Sequence, residues 1–287
     1  CGGEGSSPTN KDEIEYVNIM TKGDAIDFGV LTSEGSWLTA SCSSSTRGLY
    51  IGGAPRGDVI DYITIATAGN AADFGDPAVN RGAAGGCSNE VRGLYAGGDT
   101  NGNKKDSIEF ITIAAKSNAT DFGDLVSGAT GGLTGGMANQ VRGIWAGGYT
   151  PTALNVIQYV NIMTLGDSID FGDLTSAASE PAAVFANHTR GIVAGGSGDN
   201  NMINSITVAS TGNAAYFGDI SSGGGQSCMG GGCSHTRGII AGASSPNYNN
   251  TIEYITMATF GNSLDFGDLG ETKGQGASVT NCHGGLS

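Results

Sequence analysis

Residues 91–125 read VRGLYAGGDTNGNKKDSIEFITIAAKSNATDFGDL, and this stretch decides the fold. It contains an Arg-Gly pair with a double glycine five residues after the arginine, then an alternating apolar run, and then a Phe-Gly pair preceded by Asp. The same features recur in the same order along the whole chain of 287 residues. The sequence is therefore built from tandem copies of one unit.

The copies follow one another at a nearly constant period. The steps between successive apolar runs are 46, 48, 49, 46 and 49 residues, and the step from the last run through residue 287 back to the first is another 49. A period of this length predicts a propeller or a solenoid. Six copies fill the chain without remainder, which favours a closed ring, because an open solenoid needs atypical polar end caps. The apolar runs begin at Ile14, Ile60, Ile108, Ile157, Ile203 and Ile252.

Each copy predicts four strands, which we call a to d. Strand a is weakly apolar, strand b runs from the Arg-Gly pair to the double glycine, strand c is the alternating run, and strand d carries the Phe-Gly pair. The β-branched and aromatic residues of strand c are typical of a strand. Gly followed by Asn or Asp between strands c and d predicts a two-residue hairpin of the II′ type.

These strands predict an all-β fold, a six-bladed β-propeller of four-stranded antiparallel blades. We expect a single kelch-like propeller domain over residues 1–287, with the ring closed by pairing of the N- and C-terminal segments. In this arrangement residues 277–287 supply strand a and the rest of strand b of the first blade.

Composition and charge exclude several classes of partner. The net charge of −14 argues against nucleic acid, because phosphate contacts need clustered Lys and Arg. It also disfavours docking on anionic membranes. No apolar run approaches the ~20 residues of a transmembrane helix. We therefore expect neither nucleic-acid binding nor membrane insertion.

The cysteines are interpreted as buried thiols. Cys42 and Cys87 stand five residues before their arginines, where other copies have Met137 and Phe185. A position that accepts Cys, Met or Phe is an apolar packing position. Spacings give no Cys-x-x-Cys metal pattern. Disulfides between Cys228 and Cys233, or between Cys1 and Cys282, remain the alternative.

The repeated charged residues favour structural roles, because a catalytic site needs one constellation and not one copy per blade. For the arginines and the Asp before each Phe we expect ion pairs or backbone hydrogen bonds between strands. The second Asp series could bind calcium, although turn capping fits better, since no calcium-loop motif is present. This series comprises Asp76, Asp124, Asp173, Asp219 and Asp268.

Three histidines occupy similar places before strand b, namely His188, His235 and His283. They could converge on the axis of the ring, but we interpret them as polar turn residues. Together with the repeated charges, this predicts no catalytic residue, no metal and no cofactor.

The copies differ most in the loops between strands b and c and between strands d and a. These two loop sets emerge on one face of the predicted ring, while the short a–b and c–d turns lie on the other. Function on a rigid scaffold is commonly carried by such loops, although relaxed drift predicts the same variation. The side chains best suited to anchoring a ligand there are Trp37, Arg56, Tyr149 and Tyr248.

The motifs also carry a family resemblance. The strand R-G-L-Y-A-G-G resembles the double-glycine strand of kelch propellers, although D-F-G replaces the Tyr and Trp of the later kelch strands. The units S-I-E-F-I-T-I-A and N-A-T-D-F-G-D-L are similar to those of kelch-like repeat proteins of marine phages, notably cyanophages. This resemblance covers essentially the whole chain. It implies a virion structural or tail-fibre-associated protein, located in the virion or the extracellular space, with a binding role.

Three functions follow from these observations. The first is a non-enzymatic adhesin whose loop face binds a host-surface glycan or receptor, or another virion protein. The second is a purely structural decoration or assembly protein. The third is a propeller enzyme acting on glycans, which would need two carboxylates at a defined separation. The first fits best, because the carboxylates here are bound to the repeat or scattered in loops.

Overall fold

The fold is a ring of antiparallel sheets. The computed structural model describes residues 1–5, 10–35, 40–53, 58–100, 102–126, 135–181, 183–196, 201–222, 230–244 and 247–286. Six sheets form the blades of the ring, which confirms the predicted all-β six-bladed propeller. Among the described residues no helix has the length and apolarity needed to cross a membrane.

Strands a to d follow one another from the axis outward in every blade. Blade 1 contains Lys273–Gly274, Gly3–Gly5, Asn10–Tyr16 and Ile26–Gly35. Blade 2 contains Ala40–Ser43, Arg47–Ile51, Ile60–Thr64 and Ala72–Gly75. Blade 3 contains Gly82–Ser88, Arg92–Thr100, Ser107–Thr112 and Thr120–Asp124, with Asn103–Lys104 as an extra strand beside strand b. Blade 4 contains Gly136–Ala138, Arg142–Ala146, Val156–Asn161 and Ile169–Asp173. Blade 5 contains Ala183–Ala186, Arg190–Ala194, Met202–Thr207 and Ala215–Asp219. Blade 6 contains Gly230–Cys233, Arg237–Ala243, Asn249–Thr256 and Leu264–Asp268.

The buried apolar side chains of the described residues form six clusters, and each cluster lies between two neighbouring blades. Between blades 3 and 4, for example, Leu94, Ile108 and Phe122 pack with Trp145 and Ile162. Burial of apolar surface is the main favourable term in folding. Because this surface is shared between blades, each blade depends on its neighbours for a complete core.

The Phe-Gly pair forms a β-bulge in strand d. In blade 2, Ile60 pairs with Gly75 and Asp61 with Asp73, so Phe74 has no partner of its own in the ladder. Its ring is buried and meets the edge of Tyr62, with ring centroids 6.0 Å apart. A Cβ on Gly75 would lie 2.5 Å from the carbonyl oxygen of Ser117 in blade 3. Glycine is therefore required where the next blade approaches most closely.

The connection between strands c and d differs from the predicted two-residue hairpin. In blade 2 it spans residues 65–71, and its tight turn is closed by the Thr67 N–H, which donates to the Thr64 carbonyl at 3.1 Å. The glycine that suggested a hairpin donates instead to blade 1, from Gly69 N to Phe28 O at 2.7 Å. The prediction was wrong because the Gly-Asn pair serves contact between blades and not the turn itself.

The double glycine also marks the end of strand b less strictly than predicted. Strand b stops before it in blade 4, at Ala146, but continues to Thr100 in blade 3 and to Ala243 in blade 6. In blade 3 the longer strand supports the extra hairpin, where Asn103 pairs with Thr100 and Lys104 with Asp99.

Ring closure joins the two terminal segments, as predicted, but through different residues. Lys273–Gly274 pairs with Gly3–Gly5, and residues 277–286 contain no strand. Ser41 Oγ donates to Ser278 O at 2.5 Å, and Thr280 Oγ1 donates to Cys233 O at 3.0 Å. Residues 277–280 therefore lie between the inner strands of blades 6 and 2. The following residues cross the axis instead of completing strand b, and Gly284 N donates to Ala186 O at 2.7 Å in blade 5.

Candidate binding face

Two of the four predicted anchor residues belong to the described part of the chain. Trp37 and Arg56 lie outside it. Tyr149 is on the b–c loop of blade 4 with 41% of its surface exposed, and Tyr248 is half-buried on the b–c loop of blade 6. The two tyrosines thus belong to the loops of different blades that are not neighbours in the ring.

Tyr149 is held by a compact loop. It forms a β-bridge with Ala153, and Leu154 N donates to Gly148 O at 2.9 Å. The d–a segment of the same blade supports this loop, because Gly148 N donates to Ala178 O at 2.8 Å. The loop thus fixes the backbone and leaves the aromatic ring at the surface.

Lys104 is a functional candidate that the sequence did not reveal. It lies on the extra hairpin of blade 3, and its Nζ stands 4.7 Å from the centre of the Tyr149 ring. An ammonium over an aromatic face is a favourable cation–π contact. The two side chains come from loops of different blades, so no spacing within one repeat could predict the pair. Together they form an exposed aromatic surface beside a positive charge, which we call the Tyr149–Lys104 platform.

The Arg-Gly arginines connect neighbouring blades through carbonyl groups. Arg142, for example, donates through Nη1 to Val208 O of the next blade at 3.1 Å, and its guanidinium lies 4.6 Å from the centre of the Tyr159 ring. Arg47, Arg92, Arg190 and Arg237 donate in the same way to Ile113, Ile162, Met257 and Ile19. Of the two predicted roles, the backbone hydrogen bond is the one found. The described residues include no ion pair between these arginines and the Asp before Phe.

The glycine after each arginine makes room for the preceding blade. A Cβ on Gly93 would lie 2.7 Å from the Cys42 Cβ, and one on Gly143 would lie 2.8 Å from the Cys87 sulfur. Cys42 and Cys87 are buried, as the packing interpretation predicted, and burial raises the pKa of the Cys42 thiol to about 12.

The thiols of Cys1, Cys42, Cys87, Cys233 and Cys282 are free, so the Cys1–Cys282 disulfide is not formed. Cys228 lies outside the described residues.

The second Asp series belongs to contacts between blades. The backbone N–H of Asp76 donates to Asn118 Oδ1 at 3.1 Å, and that of Asp124 donates to Asp167 Oδ1 at 3.0 Å. The capping oxygens thus come from the Asn or Asp of the next c–d connection, and the Asp series provides amides. Within the described residues no group of three His, Cys, Asp or Glu side chains is placed to hold a metal ion.

A ring of polar side chains on strand c was also missed by the sequence analysis. In five blades the side chain accepts an N–H from the segment that leaves the preceding blade, as Asp61 does from Thr32 at 3.1 Å and Glu253 from Ser222 at 2.9 Å. In blade 3 the acceptor is Glu109, which also binds Tyr95 and Arg81. The side chains of Asp61, Glu109 and Glu253 are all buried. A paired and hydrogen-bonded charge is tolerated in the interior, so this network fixes loops and does not mark an open site.

The histidines fall into two groups near the a–b turns. The rings of His188 and His235 are stacked with centroids 4.5 Å apart, while His283 is half-buried beside the inner strand of blade 2. His283 Nε2 donates to Ser43 O at 3.2 Å, and its Nδ1 accepts from Gly285 N at 3.0 Å. Burial lowers the pKa of His283 to about 4, against the opposing hydrogen bond to Ser43. His283 thus holds the C-terminal segment in place as a neutral side chain.

The axial channel is narrow where the described residues line it. Its cavity measures about 70 Å³ and is bounded by inner strands and by His283. Small-molecule pockets usually measure ~300–1,000 Å³. The cavity that these residues line is therefore smaller than a typical small-molecule pocket.

Comparison with known proteins supports the fold. No protein-family model matches the sequence, and neither does any curated protein. The chain is similar to 391 solved chains. One of these, described as "Structure of YjhT", gives a TM-score of 0.70 at 10% sequence identity over 88% of this chain and 90% of that chain. At this identity the likeness establishes the propeller architecture alone, a scaffold that hosts binding and enzymatic modules.

Proposed function

We propose that this protein is a non-enzymatic binding module of a virion or of the extracellular space. Its loop face binds a host-surface glycan or receptor, or another virion protein. The single observation that carries the proposal is the Tyr149–Lys104 platform, with Tyr149 41% exposed and Lys104 Nζ 4.7 Å from its ring centre. Aromatic rings offer apolar surface to sugar rings or side chains, and the ammonium can donate to hydroxyl or carbonyl oxygens.

The difference between the two faces of the ring supports binding through the loop face. The Arg-Gly arginines and the residues of the c–d connections are engaged in contacts between blades. The b–c loops differ in length and sequence from copy to copy and carry the platform. The resemblance to repeat proteins of marine phages supports the virion setting, and the net charge of −14 suits a freely dissolved surface module.

A glycan array combined with binding to candidate marine bacterial cells tests this function. Labelled wild-type protein is compared with Tyr149→Ala and with the control Tyr216→Ala, which removes a tyrosine that is 51% exposed on strand d of blade 5. We expect saturable binding that Tyr149→Ala weakens and Tyr216→Ala leaves intact. Binding that is equally strong in all three proteins, or absent from every glycan and cell, would reject the Tyr149–Lys104 platform as the site.

An assembly role is the second candidate, and exposed apolar residues on the opposite face favour it. About half of the surface is exposed at Met163 and Leu165 of the blade 4 c–d connection, and the same holds for Val91 and Val141 of the a–b turns. Exposed apolar patches commonly mark protein contacts. Capture of purified virion proteins by wild type, but not by the double variant Met163→Asp/Leu165→Asp, would favour this role over the first.

A further inference from the structure

The five Arg-Gly arginines have different surroundings, because the residue that follows their carbonyl partner differs. Arg47 donates to Ile113 O at 2.7 Å, and the third residue after Ile113 is Lys116. The third residue after the acceptor of Arg237 is likewise a lysine, Lys22. The same position carries no charge beside the other three arginines, where it is occupied by Leu165, Thr211 and Phe260. Two of the five arginines are thus accompanied by a lysine from the next blade.

Arg47 and Lys116 lie against the same aromatic ring. The guanidinium carbon of Arg47 is 4.7 Å from the centre of the Tyr62 ring, and Lys116 Nζ is 4.9 Å from the same centre. An aromatic ring attracts a cation, but two cations beside one ring repel each other. Within the described residues neither side chain forms an ion pair with a carboxylate. We call these three side chains the Arg47–Lys116 site, which carries two positive charges without a described counterion.

The Arg47–Lys116 site offers hydrogen-bond donors to the solvent. A guanidinium has five N–H groups and an ammonium has three. Arg47 donates through Nη1 to Ile113 O, and among the described residues no other hydrogen bond is made by the guanidinium, the Lys116 ammonium or the Tyr62 hydroxyl. Lys116 is exposed, while Arg47 and Tyr62 are half-buried. A site with two positive charges and several free donors is suited to an anion.

The arrangement occurs a second time, at the junction of blades 6 and 1. Arg237 and Lys22 lie 4.6 and 4.8 Å from the centre of the Tyr254 ring, and we call them the Arg237–Lys22 site. The second residue after Lys22 is Asp24, whereas the neutral Asn118 stands at this position in the first site. The Asp24 carboxylate offsets part of the positive charge of its connection. The Arg47–Lys116 site is therefore the more positive of the two.

We propose that the Arg47–Lys116 site binds a phosphate group, and that the Arg237–Lys22 site is a weaker second copy of it. A phosphate monoester carries about −1.5 to −2 charge at pH 7 and three acceptor oxygens, which matches two cations and several donors. Arg47 donates to it through the N–H groups that Ile113 O does not use, and the flexible stem of Lys116 brings the ammonium onto another oxygen. A carboxylate, with one charge and two oxygens, fits less well.

The position of the Arg47–Lys116 site makes the proposal independent of the loop face. Lys116 belongs to a c–d connection, on the face opposite the Tyr149–Lys104 platform, so binding at one site does not require the other. The net charge of −14 opposes anions at long range. At physiological ionic strength, however, charges farther away than ~8 Å are largely screened. The two adjacent cations therefore dominate the interaction with a bound phosphate group.

Acetylation of lysines by an amine-reactive reagent, followed for each residue by mass spectrometry, tests the proposal on the full chain. The probe is inorganic phosphate at millimolar concentrations, with sodium chloride holding the ionic strength constant. We expect phosphate to slow acetylation of Lys116 saturably and of Lys22 at higher concentration, and to leave Lys105 of blade 3 unaffected. Acetate should protect Lys116 less. A phosphorylated monosaccharide that protects Lys116 at lower concentration than inorganic phosphate would assign the group to a glycan, and the reverse order would assign it to free phosphate.

Variants with matched controls locate the bound phosphate. Arg47→Gln should raise the phosphate concentration that half-protects Lys116 about fivefold, as expected for the loss of one partly exposed charge pair. Arg142→Gln removes the same kind of carbonyl contact beside a position without lysine, so it should leave this concentration unchanged.

Thr211→Lys changes an exposed residue beside Arg142, and the introduced lysine should gain protection by phosphate. Three results would overturn the proposal. They are equal protection of Lys105 and Lys116 by phosphate, equal protection of Lys116 by acetate and phosphate, and the same half-protecting concentration in Arg47→Gln and Arg142→Gln.

Discussion

His283 makes stability depend on pH in a way that can be measured. Its Nε2–H faces the Ser43 carbonyl, which can only accept, and its Nδ1 faces the Gly285 N–H, which can only donate. Both contacts are satisfied only by the neutral ring. Protonation would place a second N–H against Gly285, and burial lowers the pKa of His283 to about 4. The ordinary pKa of histidine in an unfolded chain is about 6.5.

The direction of this pH dependence follows from the number of protons that the folded and unfolded chains bind. Because the pKa of His283 is lower in the folded state, the unfolded chain binds more protons below pH 6.5, so stability is complete above that pH and decreases as the pH falls towards 4. Between pH 7 and pH 5 the contribution of this one group corresponds to a loss of about 2 kcal/mol in the free energy of unfolding. Below the folded pKa no further loss arises from His283.

Urea denaturation of wild type and of His283→Gln at pH 7 and pH 5 measures this contribution. Glutamine keeps a donor and an acceptor but does not titrate. The free energy of unfolding of wild type should fall by about 2 kcal/mol more than that of the variant over this interval. Equal changes in the two proteins would show that His283 is accessible to protons in the folded ring, which would refute its assigned contacts with Ser43 and Gly285.

Three further predictions concern contacts between blades. Gly75→Ala should lower the free energy of unfolding by about 1–3 kcal/mol, because its Cβ would meet Ser117 O, whereas the control Gly69→Ala enters open space; chemical denaturation that finds both equally costly would contradict this packing. Arg142→Lys should cost about 1–2 kcal/mol by the same method, since it loses the stack on Tyr159 and the directed bond to Val208 O, and an unchanged unfolding midpoint would count against the arginine contact. Cys42, whose pKa burial raises to about 12, should resist alkylation at pH 8 in the folded protein while the half-buried Cys282 reacts first; mass spectrometry showing early modification of Cys42 would contradict its position in the core.

The repeat period and the strand pattern predicted the ring because these signals are local. Alternation in strand c depends on neighbours two residues apart, and the constant step of 46–49 residues reports a unit that is stacked on copies of itself. The burial of Cys42 and Cys87 was predictable for a similar reason, since Met and Phe replace them in other copies. Whether each arginine pairs with a carbonyl or a carboxylate was not predictable, because the partner depends on the position of the next blade.

Features that occur once, or that join different blades, could not be predicted from the sequence. The Gly-Asn pair between strands c and d resembles a hairpin signal, yet Gly69 donates to Phe28 of the preceding blade. The ion pair of Arg81 with Glu109 has a counterpart in that of Lys273 with Glu15 in blade 1. The other copies have no basic residue at this position, so neither this pair nor the contact of Glu109 with Tyr95 was predictable from the repeat. Lys104 and Tyr149 come from the loops of two different blades, so their contact could not be predicted from one repeat. Residues 277–286 follow the repeat in length but turn into the axis, where Gly284 N donates to Ala186 O of blade 5.

Hydrogen exchange of the wild-type protein, with and without the glycan or cell-envelope fraction that it binds, measures which face is used. The proposed function predicts slower exchange in residues 99–106 and 148–154, around the Tyr149–Lys104 platform, and unchanged exchange in the c–d connection at 162–168. Slower exchange confined to 162–168 and the matching turns of other blades would contradict binding through the loop face and would support the assembly role.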